Sequence, residues 1–248
     1  MIPPDIHRIE YASSRDGMED WALARPPANE DTWIVMIHGH GSTGDQLYTR
    51  PDIRDRWLPC FQKYGFGILT PNLRGNAWMG PAAALDLHDL LGRIRHEYHA
   101  RHFLFASGSM GGTSNLIYAA LYPEDVTGVA ALGAASDLAT YHAWCRTQPL
   151  PILKEIADAI EDAYGGTPAE VQDLYFHHSP LRQCVDLTMP IYLAHGTDDV
   201  IIPIAESRAL AGKMTGNRNF TFHEIPGGNH DSPLNCMPQV LDWLTARL

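Results

Sequence analysis

The stretch Phe105-Ala106-Ser107-Gly108-Ser109-Met110-Gly111-Gly112 decides the fold of this chain. Into it runs His102 to Ala106, an apolar segment that reads as a buried strand; beyond it, Ser114 to Leu121 carries a helical pattern. A serine at the apex of such a strand-to-helix turn is held in a strained backbone conformation. Its hydroxyl then projects over the end of the sheet, where a substrate carbonyl reaches it. Tiny neighbours are needed because strand and helix pass so closely that larger side chains collide. An ordinary glycine-rich βα turn is the competing reading, and the rest of the chain decides between the two.

Three further polar clusters each follow an apolar run. Thr32 to Ile37 reads as a strand ending in His38-Gly39-His40-Gly41-Ser42. Glycines there let backbone N–H groups approach a ligand, which suits an oxyanion hole made from the N–H of His40 and that of Met110, the residue after Ser109. Ile191 to Ala194 leads into His195-Gly196-Thr197-Asp198-Asp199-Val200-Ile201-Ile202-Pro203, so two carboxylates, Asp198 and Asp199, stand beyond a strand end. Phe220 to Ile225 alternates like a strand and runs into Pro226-Gly227-Gly228-Asn229-His230-Asp231, which places an imidazole on a glycine-rich loop. A serine hydroxyl becomes a good nucleophile at neutral pH only when a histidine takes its proton, and a carboxylate must hold that imidazole in the right tautomer. Each piece alone is weak; in this order, each at the end of a strand, they reinforce one another.

The remaining elements alternate. Short, charged strands at His7 to Ala12 and Asp20 to Ala24 suit an antiparallel edge. A helix is predicted around Arg54 to Tyr64, a strand over Phe66 to Thr70, and a buried strand over Val126 to Leu132. Pro81 to Tyr98 spaces Leu87, Leu90, Leu91 and Ile94 as an amphipathic helix does. Strands alternating with helices imply an α/β fold, a single domain over 1–248 with a mostly parallel central sheet and helices on both faces. The exception is 136–189, where about fifty residues separate two core strands instead of the usual four to six or so. Pro149, Pro151, Gly165-Gly166 and Pro168 break it into short helices, with Leu153 to Ala163 the clearest.

The order serine, aspartate, histidine and the four motifs resemble the α/β-hydrolase superfamily, and more narrowly the catalytic domain of prolyl-oligopeptidase-like enzymes and related small esterases. The resemblance runs from about Trp21 to the C-terminus; Ser179-Pro180-Leu181 is also typical of that branch. It implies Ser109 as nucleophile, His230 as base and, because the family's acid precedes one residue, two aliphatics and a proline, Asp199 as acid, with Asp198 a turn residue. Where the family has Gly-x-Ser-x-Gly, this chain has Ser107 in place of the first glycine. The resemblance also implies that 136–189 is a small helical cap over the site. Tyr141 and Trp144 within it, and Trp78 beyond the strand Phe66 to Thr70, are candidate pocket-lining aromatics, with core packing as the alternative for each.

The expected activity is hydrolysis of carboxylic esters of short to medium acyl length through an acyl-enzyme. A small peptidase or aminopeptidase is the rival within the fold, with the acidic residues Glu155, Asp158, Glu161 and Asp162 available to hold an amino terminus. A non-catalytic binding protein on the same fold is the rival of another class. No cofactor or metal is expected: the adjacent His177 and His178 diverge, and His96, Glu97, His99 and His102 lack His-Glu-x-x-His spacing. A formal net charge of −11, with no basic stretch, argues against nucleic acid and leaves a small-molecule ester as the expected partner. Met1 to Glu10 lacks a basic, apolar leader pattern, no apolar run is long enough for a membrane span, and the four cysteines are scattered; a cytoplasmic setting with reduced thiols is the expectation.

Overall fold

The computed structural model describes residues 4–28 and 31–248; positions 1–3 and 29–30 of the 1–248 unit lie outside the described residues. Among the described residues, eight strands form one sheet. They are β1 (His7–Ala12), β2 (Glu19–Arg25), β3 (Thr32–Val35), β4 (Gly67–Pro71), β5 (His102–Gly108), β6 (Gly128–Leu132), β7 (Ile191–Gly196) and β8 (Phe220–Ile225). Their order is β1-β2-β4-β3-β5-β6-β7-β8. From β4 to β8 across the sheet all neighbours are parallel, while β1 and β2 run antiparallel at one edge.

Helices α1 (Gln46–Thr49), α2 (Pro51–Lys63), α3 (Pro81–Tyr98), α4 (Met110–Leu121), α5 (Leu138–Thr147), α6 (Pro151–Tyr164), α7 (Gln172–His177), α8 (Ile204–Lys213) and α9 (Met237–Thr245) connect and flank these strands. Side chains of the central strands β3 to β7 alternate between two buried faces, which is why those strands read as apolar runs. Ile34, Ile68, Leu104 and Ala130 face α2 and α9, through Trp57, Phe61, Val240 and Leu241. Val35, Phe105, Val129 and Leu193 face the other layer, which includes Leu87, Leu90, Leu91 and Ile94 of α3 and Leu116 and Ile117 of α4.

Among the boundaries that differ from the sequence expectation, two have clear local reasons. The strand expected over Thr32 to Ile37 ends at Val35, because the Ile37 N–H donates to the Ser107 hydroxyl (2.9 Å) instead of to a neighbouring strand. The helix expected from Arg54 begins at Pro51, whose missing N–H and fixed φ suit a first helical position.

The 136–189 segment holds α5, α6 and α7 and is joined to the sheet layer by polar contacts. The carboxylate of Glu206 in α8 accepts from the N–H groups of Ser136 and Asp137 (both 3.0 Å) and from the Thr140 hydroxyl (2.8 Å), at the start of α5. Burial pushes the Glu206 pKa up, partly offset by those donors. At the far end of α6, Tyr164 donates toward the carbonyls of Trp78 and Met79.

The strand order reverses between β3 and β5: the chain leaves β3 toward β4 on one side and returns to β5 on the other. In open α/β sheets the crevice beyond the carboxyl ends at such a point is where ligands bind. Here α4 passes so close to β3 that a Cβ on Gly111 would stand 2.0 Å from the Ile37 carbonyl oxygen. Gly111→Ala is expected to destabilise the protein by on the order of 1–3 kcal/mol through overpacking. Gly92→Ala, on α3 with nothing within 4 Å, should instead stabilise by about 0.5–1 kcal/mol. Thermal melts of the two variants check this opposite pair of signs.

Candidate active site

Ser109 sits between β5 and α4 with φ 56° and ψ −127°, a strained conformation for a residue with a side chain. Its N–H is anchored on the Leu132 carbonyl (2.8 Å), and its hydroxyl stands 2.9 Å from His230 Nε2. His230 Nδ1 lies 2.7 Å from Asp199 Oδ2. A carboxylate can only accept, so the imidazole hydrogen is on Nδ1 and Nε2 is free to accept from Ser109. Asp199 Oδ1 accepts from the N–H groups of Ile201 (2.8 Å) and Ile202 (2.9 Å). Burial works to raise the Asp199 pKa, but hydrogen bonds from His195, His230 and the Ile202 N–H hold it well below the usual carboxylate range. Asp198 is exposed and accepts from the Thr197 hydroxyl, so Asp199 and not Asp198 meets the histidine.

The loop after β3 is pinned on both sides of His40. The His38 ring nitrogens contact the carbonyls of Gly39 (2.8 Å) and Asn72 (3.0 Å). The Gly39 N–H donates to Gln46, and the Gly41 N–H to Asn76. Between them the backbone N–H of His40, like that of Met110, meets no protein acceptor among the described residues. The His40 imidazole accepts from the indole N–H of Trp78 at its Nδ1 (3.2 Å), and burial lowers its pKa.

Ser109, His40 and His230 open onto a cavity of about 220 Å³, walled by Met36, Ile53, Trp57, Ile156, Ile201 and Leu234, with Arg50 and Asp231 at 3.6 Å from each other as its charged residues. Trp78, Tyr141 and Trp144, expected as candidate lining, are not among its wall residues. They run behind it instead. Trp144 stacks on Tyr141 with ring centroids 6.1 Å apart, Tyr141 meets Trp78 at 5.6 Å, and Trp78 meets His40 at 6.0 Å. Tyr141 also donates to the Ile201 carbonyl. Core packing, the alternative for these aromatics, describes them.

Of the acidic residues on α6, Asp158 and Glu161 pair with Arg146, and Ile152 and Ile156 are the residues that α6 sends to the cavity. His177 is exposed while His178 is buried, its pKa pushed down to about 4 by burial, so the two diverge as expected. Among the described residues no group of three His, Cys, Asp or Glu is placed to hold a metal ion, and no helix is long and apolar enough to cross a membrane.

Ser107, the departure from the family elbow, is fully buried: it accepts from Ile37 and donates to Asn115 Oδ1 (3.3 Å). The side chains of Gln46, Asn72 and Asn76 fix the His40 loop by accepting from the N–H groups of Gly39, Gly44 and Gly41; of these, Asn76 was expected from the sequence near the ligand end of the sheet, and Gln46 and Asn72 were given no role. Their signal was available, since Asn72 and Asn76 follow the end of β4 and Gln46 opens α1.

Strand order, elbow and loop placement are those of the α/β-hydrolase fold. A family model described as "alpha/beta hydrolase fold" matches residues 32–152. Among solved structures, the fluorophosphonate-binding serine hydrolase F of Staphylococcus aureus superposes with a TM-score of 0.72 at 12% identity, covering 96% of this chain and 97% of that one. The S-formylglutathione hydrolase of Agrobacterium tumefaciens gives 0.72 at 13% identity, covering 98% and 95%. A puromycin-hydrolysing peptidase of Mycobacterium tuberculosis gives 0.71 at 15% identity and covers 97% of this chain but 39% of its own. At these identities the shared property is the fold.

If Asp199 orients His230, Asp199→Asn should slow fluorophosphonate labelling of Ser109 by roughly three to four orders of magnitude, as loss of an orienting carboxylate does elsewhere. Asp198→Asn should label at close to the parental rate. Labelling time courses of the two variants read the difference, and a reversed ranking would move the acid to Asp198.

Proposed function

We propose that this chain is a serine hydrolase that cleaves carboxylic esters of short to medium acyl length through an acyl-enzyme. The observation that carries the proposal is the unbroken contact from Ser109 through His230 to Asp199 at the mouth of an apolar cavity. Ser109 Oγ attacks the ester carbonyl as His230 Nε2 takes its proton. The resulting oxyanion lies within reach of the His40 and Met110 N–H groups. His230, now an imidazolium held by Asp199, gives the proton to the leaving alcohol, and the acyl group stays on Ser109. Water then gives a proton to His230 Nε2 as its oxygen attacks the acyl carbon; the bond to Ser109 Oγ breaks, His230 returns the proton to that oxygen, and the carboxylic acid leaves. No cofactor takes part in these steps, and the proposed partner is a small-molecule ester.

Ester preference is favoured over peptide cleavage by size and by charge. A cavity of about 220 Å³ lies below the range of about 300–1,000 Å³ typical of drug-sized ligands, and its wall is mostly aliphatic. An amide's amine leaves poorly, and peptidases offset this with remote contacts that orient the scissile bond. The peptidase to which this chain is similar has more than half of its length outside the match. The α6 carboxylates, the candidates for holding an amino terminus, are not on the cavity wall.

Ser109→Ala is expected to abolish turnover, by several orders of magnitude, with little change in melting temperature. A fluorophosphonate should label Ser109 alone. Retained esterase activity in that variant, or a label on Ser107, would refute the nucleophile; an unlabelled, inactive parent protein would instead favour the binding-protein reading.

Substrate class is read by comparing kcat/KM for p-nitrophenyl butyrate, an unactivated alkyl butyrate and aminoacyl p-nitroanilides. Both esters are expected to be cleaved faster than any anilide. Faster turnover of an anilide than of the alkyl ester would replace the esterase with a peptidase.

A further inference from the structure

We infer that His195 is a positioning residue for Asp199, a second imidazole that shares the carboxylate oxygen facing His230. This rests on the proposed roles of Asp199 and His230. His195 is the penultimate residue of β7 and is completely buried. Its Nε2 lies 2.9 Å from the Ile202 carbonyl oxygen and 3.2 Å from Asp199 Oδ2. Both are acceptors only, so Nε2 must carry the hydrogen and divide it between them. On the other side of the ring, Nδ1 stands 2.6 Å from the Ser207 hydroxyl, which therefore donates to it. Ser207 is itself completely buried on α8.

The two imidazoles thus meet Asp199 Oδ2 with opposite tautomers: His230 through Nδ1–H, His195 through Nε2–H. With Ile201 and Ile202 N–H groups on Oδ1, every face of the carboxylate is occupied, and its orientation is fixed before any substrate arrives. A line of contacts runs from Ser207 through His195, Asp199 and His230 to Ser109.

Other titratable groups nearby are turned elsewhere. Tyr141 of α5 donates to the Ile201 carbonyl, and Glu206 of α8 receives the N–H groups at the start of α5. Glu224 of β8, beside His195 in the sheet, pairs with Arg208, and Asp198 is exposed. Removing the His195 donor would leave more of the carboxylate's charge on the His230 Nδ1 hydrogen. That favours the imidazolium, and a base that protonates more readily loses activity at higher pH.

The test uses His195→Leu, which removes the donor, and His195→Gln, which supplies an amide donor at similar reach. The acid limb of the kcat/KM profile for p-nitrophenyl butyrate should move up by on the order of half a pH unit in His195→Leu, with a loss of about tenfold on the plateau. In His195→Gln both should return toward the parental values. The proton resonance of the His230 Nδ1 hydrogen should shift in His195→Leu as well; it needs no turnover, so failure of the esterase reading and failure of this inference are separable. An acid limb and a resonance unmoved in folded His195→Leu would overturn the inference. If that variant does not fold, nitrogen-15 spectra of the parental protein decide: the Nε2–H tautomer at His195 supports the role, and the Nδ1–H tautomer overturns it.

Discussion

The parallel approach of β3 and β5 at their carboxyl ends is the constraint on which the rest of the molecule depends. Ser107 on β5 takes the N–H of Ile37, and Gly111 on α4 lies beneath the carbonyl of the same residue. The first contact ends the β3 ladder at Val35, and the second admits the helix that begins after Ser109. The His40 loop and the Ser109 turn are thereby brought side by side by a single stretch of backbone. Any change that pushed these two strands apart would separate both partners of the proposed chemistry at once.

Burial of charge is handled by saturation. Asp199 and Glu206 are both buried carboxylates, and each is surrounded by donors from more than one element. An unpaired carboxylate in such a place would cost several kcal/mol or take up a proton. The outcomes differ: imidazole donors hold the Asp199 pKa down, whereas for Glu206 the effect of burial prevails and its pKa is raised. One carboxylate is kept as an anion in contact with two imidazoles, while the other joins α8 to the start of the inserted helices.

The strands, the parallel core and the groups around Ser109 were legible because each has a local signature. Apolar runs marked the buried strands, and small or polar clusters marked their ends. The α3 boundaries, Pro81 and Tyr98, follow from a proline start and a leucine spacing that any reader of periodicity would find. What was not legible lies in side chains whose role is set by a distant partner. Trp78 looks like a pocket aromatic because it follows a strand end; only the fold shows Tyr141 packed at a tilt behind it and His40 in front. Ser107 and His195 have no motif of their own role, since the residues they contact, Ile37 and Ser207, come from other elements. A sequence pattern reports which residues gather at a strand end, and it is silent on which of them face inward.

The aromatic run from Trp144 to His40 has a consequence for how this architecture can be altered. The inserted helices do not rest on the sheet as an independent lid. Tyr141 grips the loop after β7 through Ile201, Tyr164 grips the loop after β4, and Trp78 carries that grip to the His40 loop. Leu73, Arg74, Trp78 and Met79 in that intermediate loop all have positive φ, a conformation that needs external support. Exchanging the insertion for that of another protein of this fold would withdraw part of that support and loosen the His40 loop. Insertion and His40 loop therefore form one inheritable module, to be transplanted together or left in place together.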